Sequence, residues 1–419
     1  MLESIFGKKI DFNELRKDFT ILNRTINEKP IIYFDNACMS LRPKQVLKVM
    51  NEYYNKFPGC AGRSNHTISE EVNKAVNEAR EQIAKFFSAK AEAVVFTKNC
   101  TEAINLVANA FPFENGDVVL ITDKEHNSNL IPWLKLQKEW KIKLDVIASG
   151  PKNEFSVDNL ISKLNEHKGK VKLVSVVFTS NLDGVTNPVK DIIRICHKHK
   201  VKVLLDCAQA ALHHEINVKK LEADFIAVSA HKILGPNGVG ALISTKENLD
   251  LLKQFMVGGE TVTDSSYENY EVEKIPEKFE AGLQNYPGII GFGEAVKYLE
   301  KITIKNIQKQ IIKLNEIATA GLSEISGVEI LGPKKADKRG GIISFVIKGK
   351  PIHEVSLLLN NTHNVMVRSG AHCVHSWFNN DKNRESMFKD GTVRASFSFY
   401  NTEEEVNEFI KAVKEISEL

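Results

Sequence analysis

Between about residues 90 and 245 the apolar positions alternate between two textures. Short, solidly apolar runs are separated by longer stretches in which apolar residues recur at helical spacing. The runs Ala93–Phe96, Val118–Thr122, Leu144–Ala148, Leu173–Phe178, Lys202–Asp206, Asp224–Ala230 and Gly240–Thr245 read as strands. A run such as VSVVF has no polar alternation, so both of its faces must be buried, as in a central parallel strand. Helices are expected over Glu102–Ala110, starting just after a threonine, and over Val189–Lys198, with a proline near the first turn. This is the order of βαβ units around a mostly parallel sheet.

From about Tyr286 the pattern changes to long helices, then GGIISFVI (Gly340–Ile347), then a terminal helix, Thr402–Leu419, opened by NTEEE. We expect an N-terminal segment, 1–29, packed on a small domain; a large domain, 30–290; and a small C-terminal α+β domain, 291–419. Internal repeats and low-complexity tracts are absent from the sequence.

The composition fits this picture and excludes other classes. The 419 residues are 42% hydrophobic and 26% charged, an ordinary globular balance. The net charge of +3 arises from 56 basic and 53 acidic residues that are interspersed, so neither nucleic acid nor an anionic membrane is expected as a partner. Apolar runs fall short of a membrane span, and MLESIFGKKIDFNELRKDF places charges where a signal peptide would have its apolar centre, so a cytoplasmic location is expected. Cys38, Cys60, Cys100, Cys196, Cys207 and Cys373 form no CxxC pair, which suits reduced thiols and gives no metal site.

Candidate chemistry gathers at strand ends. In TKNCTEAINLVANA a helix opens near Thr101, and its free N–H groups would face the crevice at the sheet's C-terminal edge, where they suit a phosphate. Taken alone, a plain Thr N-cap explains the same residues. Asp206 closes the strand KVLLD and either faces that crevice or caps the next helix. In SAHKILGPNGVG, Lys232 follows a buried strand, a dry position from which an amine can act as a nucleophile. His126, after VVLIT, is either a satisfied core histidine or an aromatic face for a ring. Jointly, a phosphate cradle, a carboxylate, a lysine and a histidine at four strand ends describe a site for pyridoxal 5′-phosphate.

The stretches SNHTIS, TEAINLVAN, EHNSNLIPW, SNLDGVTNPV, LLDCAQAALHH, SAHKILGPNGVGAL, FEAG, RSGAHC and VRASFSFYN extend this reading over nearly the whole chain. Through them the sequence resembles the class V aminotransferase superfamily, and within it the SUF-type cysteine desulfurases, which include selenocysteine lyases. The resemblance implies an α/β fold of type I pyridoxal-phosphate enzymes: a large domain with a mostly parallel mixed sheet flanked by helices, and a smaller C-terminal α+β domain. It makes Lys232 the Schiff-base lysine, Asp206 the partner of the pyridine nitrogen, Gln209 the donor to the phenolic oxygen, and His126 the stacking and catalytic histidine. Cys100, Thr101, Ser229 and His231 would surround the phosphate, and Asn181, Arg394, Arg368 and Arg63 would hold the substrate.

Cys373, in VRSGAHCVHSW, is implied as the nucleophile that takes sulfur from L-cysteine as a persulfide and leaves alanine, for delivery to an acceptor protein in iron–sulfur or other thio-cofactor supply. Its polar loop, flanked by Arg368, His372 and His375, suits a reactive thiol better than a packed one. A homodimer is implied as well. The chain departs from the family pattern at Gly62, where a histidine is usual, at Leu283, where FEAG is usually followed by Thr or Ser, and at Ala371, which replaces a histidine. Cys38, Cys60, Cys100 and Cys207 fall in segments near the cofactor; packing is the default reading for each thiol, and Cys60 is the first choice for an exception. Two alternatives stay open: another class V enzyme in which Cys373 is a bystander, and a silent scaffold in a sulfur-transfer complex.

Overall fold

All seven expected strands join one sheet. The computed structural model describes residues 10–62, 64–140, 142–150 and 153–419. Its large sheet comprises β1 (Val94–Thr97), β2 (Val118–Thr122), β3 (Lys143–Ile147), β4 (Val171–Val177), β5 (Lys202–Asp206), β6 (Phe225–Ser229) and β7 (Gly240–Ser244). Their spatial order is β1-β7-β6-β5-β4-β2-β3. Only β7 runs against the rest, pairing antiparallel with both β1 and β6. The remaining six therefore all point their C-terminal ends at one edge, the edge at which open α/β sheets bind ligands.

Burial follows the sequence texture. Alternate residues of the strands enter two separate apolar layers: Val174, Val203, Leu205, Ile226 and Val228 on one face, and Leu173, Leu204, Phe225 and Ala227 on the other. Helix α1 (Thr67–Phe87) and helix α3 (Tyr286–Ile302) cover the first face, and helix α2 (Cys100–Ala110) covers the second. The edge strand β3 is only partly buried and carries Lys143 and Asp145, charges that discourage pairing with a further strand.

A second, antiparallel sheet contains β8 (Val328–Ile330), β9 (Ile342–Ile347), β10 (Arg368–Gly370) and β11 (Thr392–Ser396), in the order β8-β9-β11-β10. Its apolar face packs on Leu314, Leu359 and Phe409 from neighbouring helices. The terminal helix runs Glu403–Glu418 and is opened by a reciprocal cap between Thr402 and Glu405. Near the N-terminus, Phe19 packs 4.3 Å from the ring of Tyr400, and Arg16 bonds Glu405 at 2.6 Å. Among the described residues, no helix is long and apolar enough to cross a membrane.

Two local details differ from the sequence reading. The helix expected from Glu102 starts at Cys100, because Asn99, not Thr101, supplies the cap: its side chain accepts the Glu102 N–H at 2.9 Å. In addition, FEAG has a structural role. Glu280 receives both Nη groups of Arg80 at 2.8 Å each, and also the Phe96 N–H at 2.7 Å. This buried fork ties α1 to β1, with the Arg80 guanidinium 4.3 Å above the Phe96 ring.

Glu280→Ala strands the buried Arg80 and should cost about 3–5 kcal/mol. The check is the urea-unfolding midpoint, which should fall well below that of an Ala substitution at the exposed pair partner Glu78.

Candidate active site

The sheet's C-terminal edge opens into a cavity of about 210 Å³. Twelve of the thirteen residues expected to form the site line it, namely Cys100, Thr101, His126, Asn181, Asp206, Gln209, Ser229, His231, Lys232, Arg368, Cys373 and Arg394. Arg63 lies outside the described residues.

The strand register explains how the wall is built. Thr97, Gly240 and Ser229 form one row across β1, β7 and β6. A Cβ at Gly240 would lie 2.4 Å from the Val228 carbonyl and 2.6 Å from the Asn99 Cα, so the turn leaving β1 can close over the sheet only above a glycine. That closure lets the Cys100 N–H donate to Ser229 Oγ at 2.8 Å. Thr101, relieved of capping, shares a 2.7 Å hydroxyl contact with Ser128. The first free N–H groups of α2 therefore sit beside the hydroxyls of Thr101, Ser128 and Ser229, a donor set suited to a phosphate.

Asp206 ends β5, where its Oδ1 accepts the Ala208 N–H at 2.9 Å and the Cys100 thiol at 3.2 Å. The contact with Ala208 is made in the turn before the next helix, Ala210–His213, which has no side-chain cap, so of the two readings open in the sequence the cavity-facing one holds. Lys232, in the turn after β6, is half-buried; burial lowers its pKa, and the Asp206 charge pulls the other way. His126 is pushed down to about 4 by burial and then by the Lys232 charge. Its Nδ1 accepts the Ser128 N–H at 3.0 Å, which leaves the proton of the neutral ring on Nε2. His231 is lowered to about 4, also chiefly by burial.

The second sheet supplies the rest. Arg394, on β11, donates to the Asn181 carbonyl at 2.9 Å and approaches Asp35 at 3.4 Å. Arg368, on β10, donates to Cys38 Sγ at 2.9 Å. Beyond β10 the chain enters the left-handed region twice running, at His372 (φ 50°) and Cys373 (φ 60°). Among the contacts that hold this turn, Asn181 Nδ2 donates to the His372 carbonyl at 2.7 Å, the Asn127 N–H to the Cys373 carbonyl at 2.7 Å, and the Asn127 amide meets His375 Nδ1 at 3.1 Å. Cys373 is half-buried at the cavity wall.

Several participants are not singled out by the sequence. Glu125, in EHNSNLIPW, accepts the Val177 N–H at 2.9 Å and the Asn129 amide at 2.7 Å, so it fastens the His126 turn to β4; burial pushes its carboxyl up to about 8. Ser128 and Asn99 belong to the phosphate-like cradle, and polar residues directly after a strand are the available signal. Among the scattered thiols, Cys38 and Cys100 line the cavity, whereas Cys60, the first choice for an exception, does not; its Sγ rests 3.8 Å from Tyr286 Oη. Gln209 donates from Nε2 to the Ala37 carbonyl at 2.7 Å, leaving its second amide proton for a ligand.

The residues present fit a pyridoxal phosphate group. A lysine and a carboxylate share one cavity with a helix N-terminus, and three lining side chains, Asn181 Oδ1, His372 Nδ1 and Arg394 Nε, keep buried polar atoms without protein partners.

Comparison with known proteins agrees with the fold. Residues 32–409 match the family model "Aminotransferase class-V". A Pyrococcus abyssi protein named "Probable cysteine desulfurase" is 37% identical over 96% of this chain and 97% of its own length. A Staphylococcus aureus protein of the same name is 35% identical, with 97% of each covered. The apo structure of a cysteine desulfurase from Thermococcus onnurineus NA1 superposes with a TM-score of 0.90 at 36% identity, covering 98% of this chain and 99% of that one. A cysteine desulfurase structure from Escherichia coli gives a TM-score of 0.88 at 25% identity, with 98% and 99% covered. With the family model spanning the chain and relatives above 30% identity along nearly its full length, the protein belongs to the class V aminotransferase family.

Proposed function

We propose that the protein is a pyridoxal-phosphate-dependent cysteine desulfurase, which converts L-cysteine to L-alanine and retains the sulfur as a persulfide on Cys373. The observation that carries this reading is the meeting of Cys373 with Lys232 and Asp206 in one cavity, from loops of two different sheets. Relatives along nearly the whole chain that bear the desulfurase name support it.

Bound there, pyridoxal phosphate supplies an aldehyde that captures the substrate amine and a ring that takes up electrons from the substrate Cα. The protein's residues do the rest. Lys232, its ammonium form disfavoured by burial, would hold the aldehyde carbon through Nζ and take the Cα proton. Asp206, fixed through Oδ1, would pair with a protonated ring nitrogen. Thr101, Ser128 and Ser229, with the head of α2, bind phosphate. Arg394 and Arg368 orient the substrate carboxylate. Neutral His126 offers its Nε2 proton to the substrate. The Cys373 thiolate then attacks the substrate sulfur: a S–S bond forms, the C–S bond breaks, and its electron pair stays on Cβ, which takes a proton.

The same reading divides the chain into a cofactor-binding part, 30–290, and a part delivering Cys373, 291–419, with the described portion of the expected segment 1–29 packed against the latter and residues 1–9 outside the described residues. The contact of Phe19 with Tyr400 supports that arrangement. It also includes a homodimer and a sulfur-acceptor protein. Leu283 is 73% exposed and Val257 61% exposed, an apolar surface that a second copy would cover.

Two variants test the assignment. Cys373→Ser should keep the visible absorbance of the loaded enzyme and lose cysteine-dependent alanine formation; continued alanine production at the wild-type rate would rule out Cys373 as the sulfur acceptor. Lys232→Ala should lose the visible band of lysine-held cofactor and slow alanine formation by roughly 10²–10⁴-fold.

A further inference from the structure

The reaction above leaves two cavity-lining sulfurs unused; the Cys100 thiol is committed to Asp206 Oδ1 at 3.2 Å, whereas Cys38 faces an arginine. Cys38 shares the cavity with Cys373, and its Sγ accepts the Arg368 Nη1 hydrogen bond at 2.9 Å. The strap that carries it is fixed on both sides: the Ala37 N–H donates to Ser396 Oγ at 2.8 Å, the Ala37 carbonyl accepts from Gln209 at 2.7 Å, and the Ser40 N–H donates to the His231 carbonyl at 3.0 Å. Cys38 is therefore presented to the cavity by rigid backbone next to the Lys232 turn. A separate observation points to an anion here. Arg394 is 2% exposed, lies within electrostatic reach of Cys38, and keeps its Nε without a partner.

We propose that Cys38 is a second sulfur-holding site, loaded from Cys373. The inference rests on the desulfurase reading, since that reaction makes the sulfur to be moved. In the transfer, the Cys38 thiolate attacks the terminal sulfur of the Cys373 persulfide. A S–S bond forms at Cys38 while the S–S bond at Cys373 breaks, and Cys373 leaves as a thiolate that takes the proton given up by Cys38. The moving atom keeps its oxidation state, so neither oxidant nor reductant is consumed.

Two physical features favour the step. A persulfide extends Cys373 by one S–S bond, about 2 Å, within the cavity that both cysteines line. Once on Cys38, the anionic terminal sulfur stays beside the Arg368 donor and in the field of the buried Arg394, which remains available to a substrate carboxylate. With Cys38 loaded, Cys373 is free for another turnover, so a chain stores a second sulfur before any acceptor arrives.

The experiment is anaerobic treatment of the holoenzyme with L-cysteine in the absence of acceptor, followed by alkylation, digestion and mass measurement of the Cys38 and Cys373 peptides over time. One added sulfur atom is expected on both peptides, on Cys373 first, with none on Cys38 in the Cys373→Ser variant. Cyanide-releasable sulfur per chain should fall by half in Cys38→Ser. Sulfur on Cys373 with none ever on Cys38 overturns the second site while leaving the desulfurase reading intact. Sulfur on Cys38 in Cys373→Ser overturns the order of transfer, and sulfur on neither peptide overturns the desulfurase reading together with this inference.

Discussion

Asn181 is the joint on which the composite site depends. Its backbone carbonyl accepts Arg394 from one sheet, while its side-chain amide holds the carbonyl of His372, the residue before the nucleophile. A site assembled from two sheets has no covalent guarantee that its halves meet in register. Each half is stiff internally, because strands locked in a ladder move together, so a few contacts across the seam set the position of every residue behind them. The Asn127 N–H adds a second fastening at the Cys373 carbonyl. Backbone atoms do the fastening at the receiving end, which leaves the cysteine side chain free.

The electrostatic cost of this arrangement is spread over partners. Lys232, Asp206, Arg394, Arg368 and Asp35 bring opposite charges into one poorly hydrated volume. Isolated, each would be expensive to bury; Asp206 offsets Lys232 and Asp35 offsets Arg394, while Arg368 and Arg394 face each other across paired strands with like charge. Some directions remain unused by the protein, as at Arg394 Nε and Asn181 Oδ1. Such unsatisfied atoms destabilise the fold slightly and are tolerable where a ligand completes them.

The sheet is legible in the sequence because burial on both faces leaves unmistakable apolar runs, and all seven of them form strands within a few residues of the expected bounds. The strand-end residues are legible for a related reason: a carboxylate or lysine at the end of such a run has few structural excuses. What stays hidden depends on contacts distant in the chain. Nothing local in DNACMS reveals that Cys38 meets Arg368, 330 positions away. Thr101 reads as the cap because threonine commonly is one, but Asn99 occupies the correct turn and its amide oxygen reaches the Glu102 N–H. Glu280 and Glu125 read only as motif letters, since a buried carboxylate's task becomes visible once its donors are in place. The direction of β7, by contrast, follows from the short GPNG turn that links it to the Lys232 segment, too short for a crossover to a parallel neighbour.

The backbone at Cys373 has an evolutionary consequence. Its φ of 60° lies where glycine and asparagine are at ease and most other side chains sit at some cost. Exchanging the thiol for one of those residues would relax the turn, and the Asn127 and Asn181 fastenings on the carbonyls of Cys373 and His372, which do not involve the thiol, would survive unchanged. The shape of the loop is thus separable from its chemistry. A lineage built on this scaffold can abandon sulfur transfer through a single codon and keep a folded, cofactor-ready protein on which selection is free to install another reaction.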